Sequence, residues 1–196
     1  MTLRVAPLTG RDVTQGLAAL ARLRIAVFRD WPYLYDGSLA YEEKYLAKLA
    51  AAEGAIIVAA YDGDEIVGCA TAAPMAEVEA QFAQPFLEHG LDIGRIFYCG
   101  ESVLLQAYRG RGLGHAFFDH REAQARALGR FTHVAFCGVI RPGDHPLRPK
   151  DYLPLDGFWT KRGYAKADGL VCRFTWKDID QPSATEKPMQ FWMRAL

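Results

Sequence analysis

Chemistry concentrates in one short run of this chain, Tyr108-Arg109-Gly110-Arg111-Gly112-Leu113-Gly114. The run follows an apolar strand candidate directly and opens a helix candidate directly. A helix start presents unpaired N–H groups and a partial positive charge. Glycines let that backbone approach phosphate oxygens with no Cβ in the way. Arg109 and Arg111 add guanidinium donors suited to phosphate. The run therefore reads as a local anion site. A Walker A loop needs Lys-Ser or Lys-Thr after the last glycine, and His115-Ala116 stands there instead. A dinucleotide fingerprint needs Gly-x-Gly-x-x-Gly at the first strand–helix turn, whereas here the spacing is Gly-x-Gly-x-Gly in mid-chain.

Other reactive side chains are scattered. Glu101 sits in Cys99-Gly100-Glu101-Ser102, and an isolated glycine in a strand marks a bulge or a close backbone approach. His145, in a proline-rich loop, is a base by residue type. Cys69, Cys99, Cys137 and Cys172 form no Cys-x-x-Cys pair and lie in apolar stretches, so they read as buried reduced thiols. The histidines show no metal-ligand spacing, and no metal is expected. Trp31, Tyr33, Tyr35 and Asp36 form an aromatic loop with a carboxylate, a combination that suits a cationic amine.

The elements that must position these groups follow from periodicity. Leu3–Pro7 is a short strand. Arg11–Phe28 carries Val13, Leu17, Leu20, Leu23 and Val27 at helical spacing, and 39–51 is a second helix. Residues 55–60 and 65–73 are strands joined by a turn at Asp62-Gly63-Asp64. A helix over 77–89 is interrupted by Pro85. Residues 95–105 form a long strand. A helix over 113–128 presents Leu113, Phe117, His120, Ala123 and Ala127, and Gly129 stops it. A strand over 131–140 follows, then the loop with Pro142, Pro146, Pro149 and Pro154, and a short helix near 154–162. Strands at 170–176 and 189–193 close the chain, and the polar connection 177–188 is expected to be mobile. No linker or repeat divides the 196 residues, so 1–196 is expected to be a single mixed α/β (α+β) domain.

In that order, Arg109-Gly110-Arg111-Gly112-Leu113-Gly114 resembles the (Gln/Arg)-x-x-Gly-x-(Gly/Ala) pyrophosphate loop of the GNAT superfamily of acyl-CoA-dependent N-acetyltransferases. The resemblance covers most of the chain and is strongest from Arg95 to Tyr164. It implies a central twisted mixed sheet with splayed central strands, flanked by helices. Acetyl-CoA would be the cosubstrate, its pantetheine arm lying between the splayed strands. Val103, Leu104 and Leu105 would meet that arm through their backbone. Arg109, Gly110, Arg111, Gly112, Leu113, Gly114 and His115 would hold the pyrophosphate, with Arg148 and Lys150 assisting at the phosphates. Glu101, at the bulge, would be the general base. The family pattern Tyr-x-x-x-Gly-Phe reads Trp159-Thr160-Lys161-Arg162-Gly163-Tyr164 here, so Trp159 replaces the usual acid. Tyr152, upstream, takes that role or a cofactor contact. The loop of Trp31, Tyr33, Tyr35 and Asp36 would wall the acceptor pocket. The function implied is acetyl transfer to a primary amine by direct attack. A non-catalytic acyl-CoA binder and a nucleotide binder are the rival readings.

The whole-chain charge narrows the partners. Lys+Arg and Asp+Glu number 23 each, which gives no basic excess for nucleic acid or an anionic membrane. No apolar run approaches membrane length, and the N-terminus lacks a signal-peptide pattern. A cytoplasmic protein acting on a small-molecule amine is expected, and the family's habit of pairing leaves a homodimer open.

Overall fold

The sheet begins from a hairpin. β2 (Ile56–Asp62) and β3 (Glu65–Pro74) turn through Gly63, whose φ of 60° suits a residue without Cβ. β1 (Leu3–Pro7) pairs antiparallel with β2, and β4 (Ile96–Leu104) pairs antiparallel with β3. β5 (His133–Val139), β6 (Ala165–Lys177) and β7 (Ala184–Ala195) complete one mixed sheet in the order β1-β2-β3-β4-β5-β7-β6. The computed structural model describes residues 3–9 and 11–196.

The parallel contact of β4 with β5 is brief. Only Ile96↔His133, Phe97↔Val134 and Tyr98↔Ala135 pair. Beyond them β4 runs on to Leu104 and β5 to Val139 without pairing each other, so the centre of the sheet opens as a V.

Helices cover both faces. α1 (Arg11–Phe28) and α2 (Leu39–Ala51) set Leu20, Leu23, Leu46 and Leu49 on Ile57, Ala59, Cys69 and Val103. Burial of each such side chain contributes about 1.5–3 kcal/mol. α4 (Leu113–Ala127) covers the other face, where Leu113 and Phe117 pack on Val58, Ala60, Val67 and Ala70. α3 (Ala80–Glu88) lays Phe82 on Tyr98 and Phe86 on Phe191, with ring centroids 5.0 and 4.7 Å apart. α5 (Asp156–Lys161) follows the proline-rich loop.

Several expectations are corrected. Half of the connection 177–188 is strand, since β6 and β7 run to Lys177 and from Ala184. Buried Lys187 fixes it by donating to the Trp176 carbonyl at 2.6 Å and to Thr185. Pro85 does not interrupt α3. It is buried in the helix, which forgoes one hydrogen bond there. The helix after the glycine run faces the sheet with Leu113, Phe117, Phe118, Arg121 and Ala125, while Ala123 and Ala127 are exposed. Phenylalanines outweigh alanines in choosing the buried stripe.

Candidate active site

The glycine turn ends beside the V. Gly110 and Gly112 have φ of 74° and 81°, and open space surrounds the position a Cβ would take at each. Gly112 caps α4 with no side-chain hydrogen bond; the His115 and Ala116 N–H groups donate to the Gly112 carbonyl, and among the described residues those of Leu113 and Gly114 have no acceptor. Arg109 donates from Nε to the Leu104 carbonyl at 3.2 Å. The Arg111 guanidinium lies 5.4 Å from the Tyr108 ring centroid, and the Tyr108 hydroxyl donates to Asp62 at 3.0 Å. His115 sits against Phe158, its Nδ1 3.4 Å from Arg162 Nη1. The expected cofactor residues thus converge on one turn and the end of β4, although Arg109 already engages one of the expected backbone groups.

The expected bulge is present. Thr71 of β3 faces two residues, Gly100 and Glu101, between the pairs Ala70↔Ser102 and Ala72↔Cys99. In an unbroken strand Cys99, Glu101 and Val103 would share a face. Instead Cys99 packs on the α4 side with Phe118, and Val103 packs on the α1–α2 side with Leu20. The extra residue makes that switch and turns Glu101 toward α1 and α2. Gly100 is required there, because a Cβ would lie 2.7 Å from Thr71 Oγ1 and 3.4 Å from the Tyr45 hydroxyl.

Glu101 belongs to a buried charge cluster. Arg24 of α1 donates from Nε to Glu42 of α2, and its Nη1 forms an ion pair with Glu101. The Tyr45 hydroxyl donates to Glu101 Oε2 at 3.2 Å. Arg24 is 7% exposed, Glu42 1% and Glu101 7%. Burial works against the Arg24 charge, but Glu101, Tyr45 and Glu42 outweigh it and raise its pKa. Among the described residues, Glu42 Oε1 and Thr71 Oγ1 are buried with no hydrogen-bond partner, and the Arg24 contact to Glu101 Oε1 lacks hydrogen-bond alignment. Burial, with the Glu101 charge adding, pushes the Tyr45 phenol well up.

The aromatic loop between α1 and α2 is strapped to the far side of the V. Arg141 donates from Nε to the Pro32 carbonyl at 2.8 Å and from Nη2 to the Tyr33 carbonyl at 2.6 Å. Trp176 Nε1 donates to the same Tyr33 carbonyl at 2.9 Å. Asp178 holds Arg141 through two bonds, 2.6 and 2.9 Å, and pairs with Lys187 at 3.1 Å. Burial raises the Tyr33 phenol, with Cys137 and Tyr152 among its neighbours. Tyr35 lies toward Glu42, and burial likewise raises its phenol. Trp31 packs edge-on to Tyr152 and 5.1 Å from the His145 ring. Asp36 does not join them. It is exposed and paired with Lys177 at 2.8 Å and Arg29 at 3.6 Å, which corrects its expected place in an amine pocket.

The remaining candidates divide. Tyr152 is partly buried beside Trp31, and burial raises its phenol. Trp159 packs across Phe136 and Trp192, against Gly138 of β5, where a Cβ would meet its ring at 3.2 Å. His145 Nδ1 accepts the Leu147 N–H at 3.2 Å, so that lone pair is engaged. Arg148 donates to Gly143 and covers Tyr152 rather than reaching the glycine turn. Cys137 is a core thiol, 3.3 Å from the Tyr98 hydroxyl and pushed up by burial, so it is no thiolate nucleophile. All four cysteines are buried and free. An open concavity of ≈ 610 Å³ lies between α1 and the β2–β3 turn and touches Leu105 but none of the bulge groups.

Sequence reasoning missed Arg24 and Arg141, and it read Glu42 and Tyr45 as part of a solvated or packing face of the second helix. A signal existed for Arg24 and Glu42. Arg24 follows Leu20 by four positions, and Glu42 precedes Leu46 by four, so each charge sits within the apolar stripe of its helix. Arg141 had none, because its partners lie 37 to 109 residues away.

The sequence profile of the acetyltransferase (GNAT) family matches residues 20–149. No curated protein matches the chain in sequence. Solved structures share its fold. A candidate acetyltransferase from Salmonella typhimurium, solved with its cofactor acetyl-CoA, aligns at TM-score 0.63 and 10% identity over 99% of this chain and 94% of that one. The ribosomal-protein-alanine N-acetyltransferase of Brucella melitensis aligns at 0.62 and 12% over 98% and 99%. An N-acetyltransferase of Staphylococcus aureus Mu50 aligns at 0.61 and 10% over 100% and 99%. With the splayed β4–β5 pair and the uncapped glycine turn that opens α4, the profile match establishes that this chain belongs to the GNAT acetyltransferase family.

Proposed function

We propose that the protein transfers an acetyl group from acetyl-CoA to the primary amine of a small molecule in the cytosol. The observation that carries this reading is the V between β4 and β5, opening beside the Gly110–Gly112 turn. The residues fit the cosubstrate. Positive φ and open space at both glycines bring N–H groups to a pyrophosphate, and neither Arg109 nor Arg111 is ion-paired among the described residues. The unpaired edge from Val103 to Leu105 suits the amides of a pantetheine arm. Acetyl-CoA supplies the activated thioester.

The chain's own groups handle the acceptor. Arg24 and Tyr45 hold Glu101 at the bulge. The Glu101 carboxylate draws an ammonium and takes its first proton. Thr71 Oγ1 and the Tyr45 oxygen flank Gly100 and accept from the same nitrogen. The departing thiolate takes a proton from the Tyr152 or Tyr33 hydroxyl, on the β5 side, and the nitrogen's second proton restores that phenol. The strapped loop of Trp31, Tyr33 and Tyr35 excludes water and walls the acceptor.

The test incubates the protein with acetyl-CoA and phenethylamine, spermidine, L-lysine or a lysine peptide, and follows free thiol. Turnover supports the reading, and its absence across the panel rejects it, whether or not calorimetry shows CoA binding. A second reading, a non-catalytic acyl-CoA binder, is favoured by Trp159, which has no hydroxyl where the family pattern has one. It predicts CoA binding with no transfer.

A further inference from the structure

Arg121 of α4 is 2% exposed, and among the described residues no carboxylate lies in salt-bridge range of it. The neighbouring Glu122 is used by Arg162, Arg194 and the Tyr164 hydroxyl. A buried guanidinium without a counter-ion is costly, so its partners must repay it. Those partners are backbone carbonyls. Nε donates to Phe117 O at 3.2 Å within the helix. Nη1 donates to Glu101 O at 3.0 Å and to Thr71 O at 3.4 Å. The guanidinium also stacks on Phe118 at 4.6 Å.

Thr71 and Glu101 are the residues that face each other across the β3–β4 bulge. An extra residue interrupts the ladder there. One buried side-chain nitrogen binds a carbonyl from each side of that interruption. Resting on the acetyl-transfer reading, we propose that Arg121 is the positioning residue for Glu101. It fixes the bulge from the α4 face, so that the Glu101 carboxylate projects from the opposite face toward Arg24 and the acceptor. The helix that presents the glycine turn to the cofactor thereby also sets the register of the acceptor-side carboxylate.

The experiment measures steady-state kinetics of Arg121→Met, Arg121→Lys, Glu101→Gln and the double variant Arg121→Met/Glu101→Gln. Acetyl-CoA and the best acceptor of the four-amine panel are the substrates. Misplacement of a reacting group by about 1 Å costs roughly a hundredfold, so Arg121→Met is expected to lower kcat by about that factor. The KM for acetyl-CoA stays near wild type, because the glycine turn is untouched. Arg121→Lys, which keeps a donor at one point, restores about tenfold of the loss. Since Arg121 acts through Glu101, the double variant matches Glu101→Gln alone to within about threefold. A kcat unchanged in Arg121→Met, or losses that multiply in the double variant, would overturn the proposal. If Arg121→Met does not fold, Arg121→Lys and its double variant with Glu101→Gln decide in the same way. A wild-type protein that transfers to no amine overturns both readings, whereas active wild type with indifferent Arg121 variants overturns this one alone.

Discussion

Removing Asp178 should loosen the acceptor wall and leave the cofactor side intact. Asp178 is 3% exposed and holds Arg141, which in turn fastens the carbonyls of Pro32 and Tyr33. Without the carboxylate, Arg141 and Lys187 become two buried cations with side-chain exposures of 8% and 5%. Breaking a buried pair in this way costs about 3–5 kcal/mol. For a chain of this size each kcal/mol moves Tm by about 2–4 °C, so Asp178→Ala should melt about 6–20 °C lower. Asp178→Asn, which keeps one acceptor and the shape, should lose less. Acidity supplies an internal control. Burial alone would raise the Asp178 carboxyl, but Arg141 and Lys187 outweigh it and hold it below the ordinary range. Its stabilisation is therefore present above the unfolded-state pKa, about 4, and fades as pH falls through the lower folded value. The Tm gap between wild type and Asp178→Asn should accordingly narrow below about pH 4. Calorimetry across pH, with acceptor and acetyl-CoA KM values at neutral pH, measures both halves. An unchanged Tm, or a KM for acetyl-CoA that rises as far as that of the acceptor, refutes the clamp.

Other substitutions probe the site directly. Glu101→Gln should lower kcat by about 10²–10⁴ with little change in acetyl-CoA KM, as read by thiol release. Gly100→Ala should impair acceptor turnover, because its Cβ would lie 2.7 Å from Thr71 Oγ1, and Thr71→Ala should partly restore it. Gly112→Val, at φ 81°, should raise acetyl-CoA KM and spare the acceptor KM. Arg24→Met should cost about 3–5 kcal/mol by chemical denaturation, because Glu42 and Glu101 are then buried without a cation.

Local signals carried much of the fold. The bounds of β1, α1 and α2 follow from alternation and helical spacing alone, and Gly100 announced the bulge. The connection 177–188 misled because its polar residues find cross-strand partners, as Arg173 does with Glu186 at 2.9 Å. The anion turn was legible because glycine spacing and helix onset are adjacent in sequence. The carboxylate cluster was not, since Arg24, Glu42 and Glu101 come from three elements that only tertiary packing brings together. Asp36 shows the converse error. A suitable residue type in a suitable loop spends its charge on Lys177 across the surface.

The V in the sheet has a cost outside catalysis. From Cys99 onward β4 is an edge strand in the middle of a sheet, with backbone donors and acceptors that β5 does not take up. Such an edge is a template for a foreign strand. Two features blunt it: the bulge at Gly100–Glu101 breaks its regular spacing, and Glu101 sets a charge within it. The carboxylate proposed to serve the acceptor thus also sets a charge beside the gap. A ligand filling the gap protects it further and raises stability in proportion to RT ln(1 + [L]/Kd). Scarcity of cosubstrate would then be felt as a tendency to aggregate as well as a loss of turnover, most sharply in variants that neutralise Glu101.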